Sequence, residues 1–307
     1  MGNFLEALRE RTQSSIGFSL ILGILLFFLG QMLIVLLVEP IRMGFGFTYD
    51  DINRMFAEGL LQNDTEKYFF RIIQGCNQFA VWGFAGLAMA WLLGKPRETL
   101  ALKMPKIRST LLIAPLVLMA STPLIQFLNF DAESFRLPEF LAGLEASMKE
   151  REMVSQLALS SLFVEPGVLG LLVNLLVFAV APAICEELFF RGFFQRQLSR
   201  QMPAHTAVWL SALLFSIIHM QFYGLFTRLV LGAMLGYFLL YSRSLFPSIL
   251  AHFCFNALPI LLAFWLPETV EAEYAFSPTW VLLSAALTGA LFFLFQNVST
   301  SSPRIHE

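Results

Sequence analysis

The chain has 307 residues, 57% of them hydrophobic and only 14% charged, with a formal net charge of −2 and 33 phenylalanines. A water-soluble domain carries about 25% charged residues, so this composition excludes an ordinary soluble globule and points to a polytopic, all-α membrane protein. It also offers no basic surface for nucleic acid, and the three cysteines, Cys76, Cys185 and Cys254, all sit in apolar runs without metal-ligand spacing.

Residues 1–16 mix Glu6, Arg9, Glu10 and Arg11, and no convincing small-residue cleavage site follows the first apolar run. That run therefore reads as a retained helix and not a removed signal peptide. A hydrocarbon core is roughly 30 Å thick. Spans long enough to cross it can be placed at 17–38, 69–94, 109–129, 167–190, 204–222, 225–241, 245–266 and 278–296, eight in all. The fifth and sixth are short and share a turn near Tyr223-Gly224.

Two extramembrane loops carry short helices. In 39–68, Thr48-x-x-Asp51 has the form of a helix start. In 130–165, Phe140, Leu141, Leu144 and Met148 recur at helical spacing with Glu145, Lys149 and Glu152 between them. That pattern predicts an amphipathic helix with an apolar stripe, lying on the membrane interface or packed on the protein. No internal repeat is visible, so 1–307 reads as one membrane domain.

With eight spans both termini share a side. Arg9, Arg11, the cluster Lys95, Arg97, Lys103, Lys106 and Arg108, then Arg191, Arg196, Arg200, Arg243 and Arg304 fall on it. The acids concentrate opposite, in 39–68, from Asp131 to Glu165, and at Glu268, Glu271 and Glu273. By the positive-inside rule the termini are cytoplasmic. Arg191, Arg196 and Arg200 also favour a hairpin of the fourth and fifth spans that projects into the cytoplasm and opens a cavity there.

Between Ala183 and Asn256 the apolar spans carry Glu186-Glu187-x-x-x-Arg191, Phe215-x-x-x-His219 and His252-x-x-x-Asn256. An ionisable group at bilayer depth costs roughly 2.5–3.5 kcal/mol on insertion scales, which makes such a set a functional signal. Glu186 and Glu187 diverge by about 100° on a helix and cannot share one role. The i,i+4 spacing pairs Glu187 with Arg191 and leaves Glu186 as the free carboxylate. Glu186 lies about sixteen residues before the joint at Met202-Pro203 and His219 about sixteen after it, so an antiparallel hairpin brings them to one depth. Phe215 shares a face with His219, as His252 does with Asn256. His205 and His306 lie near the membrane surface and read as solvated.

A carboxylate in such a pocket can take a proton from water as a general base. Glu186 would act on the attacking water with His219 orienting it, and His252 with Asn256 would hold the developing oxyanion. A variant has Glu186, His219 and His252 as ligands of a zinc ion, although no His-Glu-x-x-His helix is present. Every aspartate lies at the termini or in loops, so a transmembrane aspartyl pair is not available. No Gly-x-Ser-Gly turn accompanies a later helical histidine, so a serine–histidine dyad lacks its usual setting.

These three motifs, in this order, resemble the signature of the CAAX protease and bacteriocin-processing (CPBP, or Abi) family over roughly residues 165–265, the expected catalytic core. The resemblance implies an eight-helix fold like that of the type II CAAX endopeptidases, with a conical catalytic cavity and a membrane-associated protein or peptide as substrate. It carries the catalytic glutamate onto Glu186, its histidine partner onto His219 and the oxyanion side onto His252 and Asn256. The brevity of the chain, its retained first helix and the lack of an appended domain suggest the inner (plasma) membrane of a prokaryote. The competing readings are a non-catalytic scaffold or chaperone-like member of the same family, and a transporter, for which the inverted repeats are missing. Gly232-x-x-x-Gly236 fits close helix packing ahead of the third motif.

Overall fold

The computed structural model describes residues 2–127, 136–163, 167–221, 224–267 and 276–301. The expectations at Asp131, Glu165, Tyr223, Glu268, Glu271, Glu273, Arg304 and His306 lie outside the described residues.

The described chain is helical with no strand. In order it forms α1 (Gly2–Ser14), α2 (Ile16–Phe45), α3 (Tyr49–Ala57), α4 (64–92), α5 (Thr110–Phe127), α6 (Ala142–Phe163), α7 (Val168–Leu198), α8 (Ala204–Ile218), α9 (Leu225–Ser242), α10 (Phe246–Trp265) and α11 (Pro278–Thr300). Local chemistry sets several starts. Ser15 accepts from Phe18 N at the head of α2, and Thr48 and Asp51 close a reciprocal capping box on α3. Asn63 accepts from Glu66 N at the head of α4.

Six helices, α2, α5, α7, α9, α10 and α11, are long and apolar enough to cross a membrane. Two of the eight expected spans differ from that standard. The second falls within α4, where Gln74, Asn77 and Gln78 dilute the apolar run. The fifth is α8, only 15 residues long. It stops before Met220, whose backbone is left-handed with φ 50°. Large apolar side chains such as Ile21, Leu25, Phe28, Met32 and Val35 stay exposed along α2, as lipid contact allows and water would penalise. The protein is an all-α, polytopic integral membrane protein.

Long-range hydrogen bonds sort the connections to two ends. At one end, Arg9 and Gln13 donate to Trp91 O and Leu92 O. Arg196 donates to Thr99 O at 2.7 Å, Ser244 Oγ to Lys103 O at 2.6 Å, and Leu245 N to Ala101 O at 3.1 Å. The N-terminal helix, the 93–109 segment, the foot of α7 and the α9–α10 turn thus gather together, as the basic-residue pattern predicts. At the other end, Asn174 Nδ2 donates to Leu162 O and Gly224 N donates to Glu152 Oε1 at 3.1 Å.

Helix α6 departs from its expected stripe. Phe140 is 82% exposed and Leu144 is exposed, whereas Glu145, Met148 and Glu152 are buried. Polar pairing decides the face: Glu145 accepts from Lys149 at 2.6 Å and from Leu137 N at 2.6 Å, and Glu152 caps the backbone at Gly224. Helix α6 therefore packs on the protein through these acids together with Met148, Ala158 and Leu162.

The core around the motif helix is aromatic. Phe27, Trp82, Phe189, Phe190, Phe193 and Phe215 form one buried cluster between α2, α4, α7 and α8. Gly86 lets α4 approach closely, since a Cβ there would stand 3.1 Å from Leu188 C and Phe189 N on α7.

Candidate active site

Helix α7 is not a regular α-helix. Two π-helical stretches, Leu175–Val180 and Leu188–Gln195, flank the α-helical Ala181–Glu187. Pro182 has no N–H to donate and its ring crowds the preceding turn, so the ladder widens before it. The short α-helical piece between carries Glu186 and Glu187, which are 4% and 0% exposed.

Arg191 Nη1 donates to Glu187 Oε1 at 2.8 Å, the pairing expected from the i,i+4 spacing. Its other arm donates to Gly232 O at 3.0 Å, and its guanidinium stands 4.6 Å from the centre of the Phe215 ring. Gln195, one turn on, donates to Gly236 O at 3.0 Å. Gly232 and Gly236 are small for this reason: a Cβ at Gly232 would meet Ala212 Cβ at 3.1 Å, and one at Gly236 would meet Gln195 Oε1 at 2.7 Å. Arg191 is 0% exposed, so it is part of the buried site and not one of the cytoplasmic-side cations with which its position in the sequence grouped it.

Glu187 has a second partner that its local spacing does not reveal. His252 Nδ1 lies 3.0 Å from the same Oε1, and His252 Nε2 lies 3.9 Å from Glu186 Oε2. His252, 2% exposed, is therefore held between the two carboxylates. Glu187 both anchors Arg191 and sets the orientation of an imidazole. Glu187 Oε2 is buried with no protein donor among the described residues.

Glu186 stays out of the Arg191 pair. Its Oε1 accepts from Gln78 Nε2 of α4 at 3.3 Å. Gln78 was not among the expected site residues, although a glutamine inside an apolar span is the kind of signal that could have named it. Trp82, on the next turn, stacks 6.4 Å from His219.

His219 caps the end of α8, with Nδ1 at 2.6 Å from Phe215 O and its ring edge-on to Phe215 at 4.8 Å. No hydrogen bond joins it to Glu186 among the described residues. The α7–α8 hairpin turns at 199–203 as expected, but its register is shifted. Ser211 Oγ donates to Phe190 O at 3.2 Å, which makes Glu186 about level with Phe215 and leaves His219 a turn further on. A π-helix holds more residues per turn, so the arm from the joint to Glu186 is shorter than the equal-arm argument assumed.

Glu186, His219, His252 and Asn256 nevertheless line one cavity of about 370 Å³, with Phe215, Phe255, Arg228 and Glu152 also in its wall. The lining runs from α7, α8 and α10 to α6 and the head of α9. It thus reaches the end opposite the basic cluster, where Glu152 and Gly224 meet. Among the described residues no three His, Cys, Asp or Glu side chains are grouped to hold a metal ion. In both histidines Nδ1 is engaged, with Phe215 O and with Glu187, so Nε2 is the ring nitrogen each would offer to a zinc ion or to substrate.

Residues 168–258 match the protein family described as Type II CAAX prenyl endopeptidase Rce1-like. No curated protein and no solved structure matches the chain. The matched segment holds all three motifs, from Glu186 to Asn256, together with most of the wall of their common cavity. Over that segment, about 30% of its length, the chain is similar to the CAAX protease and bacteriocin-processing family.

Proposed function

We propose that this protein is a glutamate-dependent intramembrane endopeptidase acting on a membrane-associated protein or peptide. The observation that carries the reading is the convergence of Glu186, His219, His252 and Asn256, from three separate helices, on one cavity inside an apolar bundle. Glu186 takes a proton from water, and the water oxygen attacks the scissile carbonyl carbon. His252 and Asn256 accept the developing negative charge on the carbonyl oxygen as hydrogen-bond donors, and His219 orients the water. The C–N bond then breaks and the proton held by Glu186 passes to the leaving amine. Glu187 and Arg191 are positioning residues: they set the His252 ring and tie α7 to α9. Gln78 holds the Glu186 carboxylate from the other side.

The test is hydrolysis of membrane-protein substrates by the purified protein in vesicles, with precursor accumulation in cells as the unbiased readout. Glu186→Gln abolishes cleavage while thermal stability is retained. Wild-type rates in that variant would refute the assignment.

The termini and the basic 93–109 segment lie on the cytoplasmic side, by the excess of Lys and Arg there. A single introduced cysteine at Ser301 is then protected from an impermeant thiol reagent in intact cells, and labelling without lysis would reverse the orientation.

A further inference from the structure

A second cavity lies on the other flank of α7. An apolar groove of about 350 Å³ runs between α7 and α10, walled by Met104, Val180, Ile184, Phe246, Ile249 and Phe253. It shares no lining residue with the cavity of Glu186. Its size falls within the range of small-ligand sites, roughly 300–1,000 Å³.

One end of this groove is built against the most basic stretch of the chain. Ser244 Oγ donates to Lys103 O at 2.6 Å and Leu245 N to Ala101 O at 3.1 Å. These bonds fix the backbone beside Met104 to the first turn of α10, which supplies Phe246 and Ile249 to the groove. Lys103, Lys106 and Arg108 on that segment are exposed, as is Arg243 beside Ser244. Lys103, Lys106 and Arg108 form no ion pair among the described residues. The first turn of α10 adds its positive dipole end at the same place.

An apolar slot with a cationic rim matches one amphiphile in both parts. We propose that the groove is a resident lipid site, holding an acyl chain of an anionic phospholipid whose headgroup phosphate rests on Lys103, Lys106 and Arg108. Each cation near a membrane surface strengthens anionic-lipid binding about fivefold. The site is independent of the proteolytic reading, because no catalytic candidate opens onto it.

The experiment is native mass spectrometry of the full-length protein after equilibration with mixed micelles of phosphatidylglycerol and phosphatidylcholine in equal amounts. The wild type retains one phosphatidylglycerol in preference to phosphatidylcholine by about tenfold or more. The triple variant Lys103→Gln, Lys106→Gln, Arg108→Gln loses that preference. Ile249→Trp, which fills the groove, loses retention of both lipids, while Leu36→Trp on the exposed face of α2 changes nothing. Equal retention of the two lipids by the wild type would reduce the groove to ordinary annular contact and overturn the proposal. An unchanged preference in the triple variant would overturn it too, as would displacement of the lipid by a lipid-modified peptide that binds the triple variant equally well. Should Ile249→Trp fail to fold, the triple variant alone decides.

Discussion

Removal of the Arg191 guanidinium tests how the site is held together. Arg191→Met keeps much of the stem and deletes the charge. Glu187, wholly buried, is then left with His252 at 3.0 Å as its only hydrogen-bond partner among the described side chains, and Gly232 O loses its donor at 3.0 Å. Breaking a buried ion pair from one side costs about 3–5 kcal/mol, most of it the cost of the charge left behind. At about 2 °C per kcal/mol for a chain of this size, thermal unfolding followed by tryptophan fluorescence in mild detergent shifts down by roughly 6–10 °C. The double variant Glu187→Gln, Arg191→Met leaves no unpaired charge and keeps an acceptor for His252, so it recovers at least about 2 kcal/mol, or roughly 4 °C. A single variant that costs less than about 1 kcal/mol, or a double variant no better than the single, would refute the view that this pair organises the site.

Gln78→Leu removes the donor to the Glu186 carboxylate. A hydrogen bond to a charged group is worth about 1.5–3 kcal/mol, so kcat falls roughly 10–100-fold with little change in KM, and an unchanged kcat would remove Gln78 from the site. Outside the spans, two hydrogen bonds from Arg54 at 2.9 Å and one from Gln62 N hold the Glu66 carboxyl below its ordinary value. A depressed folded value stabilises the 49–66 segment above the ordinary carboxylate range, and that contribution is lost as pH falls through the folded value. Limited proteolysis at 49–66 therefore increases on acidification below that range. Glu66→Gln reduces the pH dependence to the part carried by Asp51, whose carboxyl Thr48 also holds below its ordinary value, and a variant as pH-sensitive as the wild type would disprove the linkage.

Much of the site is written in short-range spacing. An acid and a base four residues apart must meet on a helix, so the Glu187–Arg191 pair follows from the sequence, as do the shared faces of Phe215 with His219 and His252 with Asn256. The capping box at Thr48 and Asp51 follows in the same way. Helix α6 shows where such reading stops. Its apolar residues recur at helical spacing, yet Glu145 and Glu152 turn inward beside Met148, because Lys149, Leu137 N and Gly224 N offer the two acids partners. Periodicity weighs hydrophobicity and has no access to distant donors.

Composition and residue order alone determined an all-α membrane protein, the ordered motifs and the separation of basic from acidic connections, because bilayer thickness and helix period act on every segment locally. Tertiary packing alone decided that His252 sits on Glu187, 65 residues away, and that Gln78 reaches Glu186 across 108. It also decided that Glu186 comes level with Phe215 and not with His219. The physical reason is that a π turn shifts register without leaving a mark in the 3.6-residue pattern, and contacts between helices depend on that register.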